Sequence, residues 1–512
     1  MLRRRAVDVQ PLVVEGTALP LPPMPPALAD FTDGIVIPLT GQQKTVAHLT
    51  VDVAFRYSVQ ADIGALRLAL AKVLVKFPVL AGRVVRLQQD DEEGRSTRNS
   101  EVALCVPKLH GPLPSWAYVS FAYAQASDGI EPPRDGIAPD DLFDLASDCI
   151  PSEIVTCRHN NFDGSNTCTT TSDPIDQSKL GEALTRIRVT NYKSGCQIIA
   201  LSINHTLVDA GSIGLFWSAW SEQYRSCRYG DGKTVDIKVT FDHPIFSSAS
   251  KEDRDESTST PDEWKALLPN EIEGDNPFDE ESSVGPIISL KATCTIYERT
   301  VQEIKQLKRE MLDLHKDHGP VPPFLSSNDV LCGEVCQILD ATSILLCMNW
   351  RPVLARSTFF GYALLFLYLS FADAMDASIA CRRILGWNRH YSSSKGGGGI
   401  VRNKGFVDWK VRNEGKQGKT QLIWNSWVGF FTILGEDEIE AEGKTIDGMP
   451  QMKMERYPDD IMMSDQMKRM RIAVANKGLS YAIVLPQPAK AVRVYFFGRP
   501  HHGKSLLMAY SS

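Results

Sequence analysis

The sequence lacks most of the features that place a chain in a specialised class. It has no long apolar run. The richest, FFGYALLFLYLSFA from Phe359, covers 14 residues, short of the roughly 20 a membrane-spanning helix needs, and it reads as a buried helix. It has no excess of positive charge: the net charge is -7 and the pI about 5.9, so neither nucleic acid nor an anionic membrane is expected as a main partner. It has no repeated C-x-x-C, and Cys332 and Cys336 have no second pair or histidine at zinc-ligand spacing. The eleven cysteines are expected as reduced, mostly buried thiols of a cytoplasmic protein, with no metal. The basic start MLRRRAVDVQ lacks a following apolar stretch, so no signal peptide is expected. No short repeat is present.

What the 512 residues do contain is 43% hydrophobic and 23% charged residues, the composition of a globular protein too large for one core. Strand-like alternation in KTVAHLTVDVAFRYSV precedes a helix in DIGALRLALAKVLVKF. Asp62 can cap that helix, Leu66, Leu70, Val73, Leu74 and Phe77 recur at helical spacing, and Pro78 stops it. AGRVV turns into another strand. Residues 88–178 read as irregular and polar. ALTRIRVTNYKSGCQIIALSINH then gives two strands around a turn, followed by the amphipathic helix SIGLFWSAWSEQYR. An acidic, Ser/Pro-rich stretch at 241–285 reads as a crossover linker. Beyond it come a strand (ATCTIYER), two helices (VQEIKQLKREMLDL and SSNDVLCGEVCQIL), strands in ILLCMNWR and TQLIWNSWVGFFTIL, and a terminal hairpin, YAIVLPQPAKAVRVYFFG. Strands interleaved with helices in both halves predict an α/β protein with an N-terminal domain at 1–240 and a C-terminal domain at 286–512.

Three H-x-x-x-D matches compete for a catalytic role: His48–Asp52, His159–Asp163 and His205–Asp209. On a strand, positions four apart lie about 13 Å from each other, so His48 and Asp52 cannot act together. His159 and Asp163 sit in a polar loop with no rigid element to hold a rotamer. His205 ends the buried strand IIALSI, and Asp209 falls in the turn before a helix, with Ala210–Gly211 permitting a bend. That strand-end position is where α/β sites lie, and a neutral imidazole there can accept a proton. Alone, the pattern leaves a capped core histidine equally open. GRPHHGKS at 498–505 matches a P-loop, but only seven residues follow Ser505, too few to complete a nucleotide-binding core.

Several blocks in order, from about residue 35 to 435, carry a resemblance. Pro78–Arg83 resembles "PLAGR", the segment through NHTLVDAGS resembles H-x-x-x-D-G, SSND resembles "STND", MNWR resembles "VNxR", FFGYA resembles "YFGNA", and NSW resembles "TSW". Together they are similar to the BAHD-type acyl-CoA-dependent acyltransferases of the H-x-x-x-D superfamily. The resemblance implies two chloramphenicol-acetyltransferase-like domains, each a mixed sheet with flanking helices, and an active site in the channel between them. It also implies acyl transfer from acyl-CoA, as co-substrate with no permanently bound cofactor, to a hydroxyl or amine of a small molecule in secondary metabolism. His205 would be the base and Asp209 its companion, Asn425 or Trp427 the oxyanion donor, and Ser326 and Arg351 contacts of the coenzyme. A soluble monomer without membrane insertion goes with this picture. The chain departs from the family in three places: Ala210 follows the motif aspartate, Tyr362 replaces an asparagine, and D-F-G-W-G is absent where the chain reads GEDEIEAEGK at 435–444. Insertions fall at about 88–180 and 436–465. The departures leave a catalytically inactive member that binds a ligand or protein partner as the alternative.

Overall fold

A computed structural model describes residues 8–12, 34–38, 50–87, 101–107, 117–133, 136–138, 142–143, 183–230, 239–241, 293–316, 324–349, 351, 358–370, 377–379, 381–382, 420–427, 458–464, 479–487, 491–498 and 505–506. These fall into two compact units. His48, the His159–Asp163 pair, all but the first residue of the linker at 241–285 and the GEDEIEAEGK segment lie outside the described residues.

The first unit comprises residues 1–239, 360–362 and 448–465. Its main sheet has seven strands in the order β1 (Asp8–Leu12), β6 (Ser120–Gln125), β8 (Thr185–Asn191), β9 (Gln197–Asn204), β3 (Thr50–Tyr57), β14 (Asp460–Ser464) and β7 (Ile137–Ala138). The β6–β8 and β14–β7 pairs are parallel and the others antiparallel, so the sheet is mixed. A smaller sheet runs β2 (Gly34–Pro38), β5 (Glu101–Pro107), β4 (Arg83–Leu87). β9 is bonded on both edges, and all eight of its residues are buried, which is why the sequence there is a continuous apolar run instead of an alternation.

Helix α1 (Ile63–Leu74) starts where Asp62 Oδ1 accepts the Ala65 N–H at 2.9 Å, as the capping residue predicts, and it buries Leu66, Ala69, Leu70, Val73 and Leu74. A 3-10 turn, Pro78–Ala81, follows. Arg83 is then buried, donating from Nη1 to the Ala81 carbonyl at 3.0 Å and from Nη2 to the Tyr118 carbonyl at 2.9 Å, so it pins the turn. Helix α2 (Ala210–Tyr229) packs on α1, with the Trp220 indole donating to the Leu66 carbonyl at 3.0 Å. Its Trp217 stacks on Phe55 of β3 at 3.9 Å between centroids, and its Phe216 meets Phe77 edge-on at 5.9 Å. Each such pair contributes about 0.5–1.5 kcal/mol beyond its buried area. These contacts fix the start of α2 relative to the sheet.

The second unit comprises residues 240–359, 363–447 and 466–512. Its six-stranded sheet runs β10 (Thr293–Thr300), β16 (Ala491–Gly498), β15 (Leu479–Gln487), β13 (Thr420–Ser426), β11 (Ala341–Asn349), β12 (Leu364–Ser370). β11–β13 and β13–β15 are parallel and the remaining pairs antiparallel. Helices α3 (Val301–His315) and α4 (Ser327–Leu339) both begin with reciprocal capping boxes, Thr300/Glu303 and Ser326/Asp329. Two backbone and side-chain donors at Thr300 and the nearby Arg299 hold the Glu303 carboxyl below its usual range. Val330, Val335, Trp424, Val494 and Phe496 are at the centre of this core.

Three sequence expectations are corrected. The apolar stretch from Phe359, described as far as Ser370, is not a buried helix; it supplies β12, paired antiparallel with β11 at the end of the sheet. Gly361, at φ 151°, bends the chain before it, and an apolar run of seven residues has no helical periodicity of its own to oppose pairing. The region 88–178, read as irregular, contains β5 and β6, short strands whose polar flanks obscured them. Ala210 and Gly211 do not form a bend; they are the first residues of α2, and the turn ahead of them is closed by Asn204 and Asp209 instead.

Candidate active site

The site in the first unit is built from the end of β9. Asn204, the last residue of β9, accepts at Oδ1 from the Thr206 N–H (3.0 Å) and the Thr206 hydroxyl (2.7 Å), and its carbonyl accepts the Leu207 N–H at 3.1 Å. This side-chain-closed turn sends the chain directly into α2. Asp209 is the cap of α2: it is fully buried, its Oδ1 accepts the Ser212 N–H at 2.8 Å, and its carbonyl accepts the Ile213 N–H at 3.0 Å.

His205 sits inside this turn, half-buried, with Nδ1 2.7 Å from the Val208 carbonyl oxygen. A carbonyl can only accept, so Nδ1 carries the hydrogen and Nε2 keeps its lone pair when the ring is neutral. Burial pushes the His205 pKa below its ordinary 6.5, partly offset by the Val208 carbonyl and the Asp209 carboxylate, which favour the charged ring. The ring is therefore neutral at pH 7. His205 and Asp209 are thus brought into one turn, with the aspartate acting on the helix start and, through space, on the imidazole.

One contact was not anticipated from the sequence. Tyr362, buried, meets the His205 ring edge-on, with centroids 5.3 Å apart and planes at 67°. It is held there because the Ser212 hydroxyl donates to the Gly361 carbonyl and accepts the Gly361 N–H, both at 2.8 Å. Gly361 and Tyr362 belong to a block that the sequence marked, and Ser212 to another, but nothing in the letters joins them. The Val208 carbonyl is backbone and left no signal at all.

The other expected site residues fall in the second unit. The Asn425 side chain, on β13, donates from Nδ2 to the Tyr481 hydroxyl at 3.0 Å. Trp427, just past β13, is buried, and its backbone N–H donates to the Val484 carbonyl at 2.8 Å. Ser326 is the cap of α4, its hydroxyl accepting the Asp329 N–H at 3.3 Å. Arg351 is buried and turned onto its own strand end, with Nε donating to the Phe359 carbonyl at 2.7 Å and Nη1 to Asn349 Oδ1 at 3.1 Å. The Trp424 indole donates to Asn328 Oδ1 at 2.7 Å, joining β13 to the first turn of α4. Ser326, Asn349, Arg351 and Asn425 consequently share the edge at which the parallel strands β11 and β13 end, the usual location of α/β sites. Among the described residues no His, Cys, Asp and Glu cluster could hold a metal ion, and no helix is long and apolar enough to cross a membrane.

The first condensation domain of the calcium-dependent antibiotic synthetase, in complex with a substrate analogue, is similar over 93% of this chain and 95% of its own, at 13% identity and a TM-score of 0.50. The chain has the two-domain chloramphenicol-acetyltransferase-like fold. Vinorine synthase aligns over 97% of this chain and 96% of its own at 12% identity and a TM-score of 0.48. TRI101 of F. sporotrichioides, complexed with coenzyme A and T-2, aligns over 93% and 97% at 13% identity and a TM-score of 0.49. Among curated sequences, acyltransferase abl6 of Leptosphaeria maculans is 29% identical over 159 residues. That match spans 30% of this chain and 27% of the relative. No family model matches the sequence.

Proposed function

We propose that the chain is a BAHD-type acyltransferase that moves an acyl group from acyl-CoA to the hydroxyl or amine of a small molecule, with His205 as general base. The observation that carries this reading is the Val208 carbonyl on Nδ1, which leaves Nε2 as the proton acceptor of a ring kept neutral by burial. The ordered sequence blocks and the partial likeness to an acyltransferase support it, and coenzyme A is bound in the similar TRI101 structure. The N-terminal domain would run over 1–240, the linker over 241–285 and the C-terminal domain over 286–512, in a cytoplasmic monomer.

The chemistry balances without a covalent enzyme intermediate. Nε2 takes the proton from the acceptor O–H or N–H as that atom attacks the thioester carbonyl. The tetrahedral oxyanion collapses, the C–S bond breaks, and the imidazolium returns its proton to the thiolate, leaving an ester or amide and free coenzyme A. A positioned donor for the oxyanion is worth about 3 kcal/mol. Asn425, which has a second Nδ2 hydrogen beyond the one given to Tyr481, takes that role in this reading, with the Trp427 indole as the other candidate. Ser326 and Arg351 would shape the coenzyme edge from within, through the cap of α4 and the end of β11, since both are engaged in internal hydrogen bonds. Panels of acyl-CoA thioesters with pooled alcohols and amines, read by free thiol release, test the proposal. Acceptor-dependent thiol release supports it; none with any pair contradicts it and leaves an inactive ligand- or protein-binding member.

A further inference from the structure

Ser212 lies in the first turn of α2, and it is the link between the histidine's helix and a segment some 150 residues on. Its hydroxyl both donates and accepts. It donates to the Gly361 carbonyl and accepts from the Gly361 N–H, each at 2.8 Å. Two bonds to one residue fix that residue in both position and twist. The residue so held is a glycine at φ 151°, a conformation other residues rarely adopt, so the bend does not slide. Its neighbours on either side are both placed by packing: Phe360 meets Phe77 edge-on at 4.9 Å, and Tyr362 meets His205 edge-on at 5.3 Å. Ser212 is itself fixed, because its N–H is the donor that Asp209 caps. The motif aspartate, the serine three positions later, the glycine bend and the tyrosine thus form a closed loop of contacts that returns to the histidine.

We propose that Ser212 is a positioning residue for the base: through its paired hydrogen bonds to Gly361 it holds the Tyr362 ring over the His205 imidazole and keeps water from that face. The proposal rests on the reading of His205 as the base, and it gives the sequence departure at Tyr362 a physical role, a cover in place of a hydrogen-bonding side chain. Among the described residues the titratable groups facing the imidazole are Asp209, from its own turn, and the Tyr362 phenol, from the packed segment. None of the substitutions at Ser212 and Tyr362 below adds or removes a charge beside the first.

The test reads the imidazole itself and needs no substrate. The intact chain is labelled with 15N-histidine, and His205 is assigned from its loss in His205→Gln. Its titration is then followed by NMR in the wild type, Ser212→Ala, Ser212→Thr, Tyr362→Leu and the double variant Ser212→Ala/Tyr362→Leu. The wild type is expected to titrate below 6.5, since burial disfavours the charged ring. Ser212→Ala and Tyr362→Leu are each expected to move the midpoint upward toward 6.5 as water reaches the ring. Ser212→Thr, which keeps the hydroxyl, restores the wild-type midpoint, and the double variant moves no further than Tyr362→Leu alone. An unchanged midpoint in Ser212→Ala, or additive shifts in the double variant, overturns the proposal. Should Ser212→Ala not fold, Tyr362→Leu decides: an unmoved midpoint there overturns it equally. Failure of the acyl-transfer reading would instead appear as absent thiol release with these titration shifts intact.

Discussion

Arg382→Met should be among the most damaging single substitutions outside the candidate active site. Asp329 is fully buried in the first turn of α4, and Arg382 is 7% exposed. The guanidinium donates to Asp329 Oδ2 from Nε at 2.7 Å and from Nη2 in a closer contact, while the same oxygen accepts the Ser326 N–H at 2.7 Å. Methionine fills much of the arginine's volume but supplies neither donor. Each hydrogen bond to a charged group contributes roughly 1.5–3 kcal/mol, and removing one partner of a buried pair costs about 3–5 kcal/mol because the remaining charge is stranded. The lost packing of the Arg382 cation over the Phe324 ring, 4.5 Å away, adds about 0.5–1 kcal/mol, since Phe324 is half in solvent. Urea unfolding followed by tryptophan fluorescence suits the measurement, because Trp424 is fully buried in the same unit and bonded to the same helix turn. The expected loss is about 3–5 kcal/mol, and Asp329→Asn/Arg382→Met should recover part of it by removing the stranded charge. A loss under about 1 kcal/mol, or a double variant worse than the sum of the singles, would refute the reasoning.

Gly333→Ala sets two effects against each other. Alanine favours a helix by about 0.5–1 kcal/mol, but its Cβ would lie 2.8 Å from Ser378 Cβ and 3.2 Å from the Ser378 nitrogen. Overpacking costs about 1–3 kcal/mol, so the variant should be less stable in the same urea assay; a more stable one contradicts the packing. For His205, whose pKa is lowered in the folded chain, an acyl-transfer rate controlled by the neutral ring should rise with pH, with a midpoint below 6.5, and be flat from there upward. The stability sign follows from the same shift. The unfolded chain takes the proton first, so stability is intact above about 6.5 and falls as pH drops through the window down to the lower folded value. His205→Gln should remove that component, as unfolding at about pH 5 and about pH 7.5 would register.

Much of the scaffold was legible in the sequence because it rests on local chemistry. Asp62 and Asp209 cap helices as short acceptors do, and the terminal hairpin of β15 and β16 forms from two adjacent apolar runs. β12 was missed because a short Leu/Phe/Tyr run reads the same in a buried helix and a strand, and only its pairing with β11 decides. β6 was missed because both its partners, β1 and β8, are far away in sequence, and β5, whose partner β4 is near, because the polar residues 88–100 between them hide the pairing. In the candidate site, the strand–turn–helix setting of His205 and Asp209 was legible. The bond that selects the tautomer was not, because it comes from a main-chain carbonyl, and the Ser212–Gly361 link was not, because it joins residues 149 positions apart.

The central claim is that His205 Nε2 takes the acceptor's proton. Its direct test is kcat for thiol release in wild type and His205→Ala, with the best donor and acceptor pair from the screen and with His159→Ala as the control. The account predicts a fall of about 10²–10⁴-fold in His205→Ala, the usual contribution of a positioned base, and no change in His159→Ala. An undiminished kcat in His205→Ala, or a loss confined to His159→Ala, would contradict it.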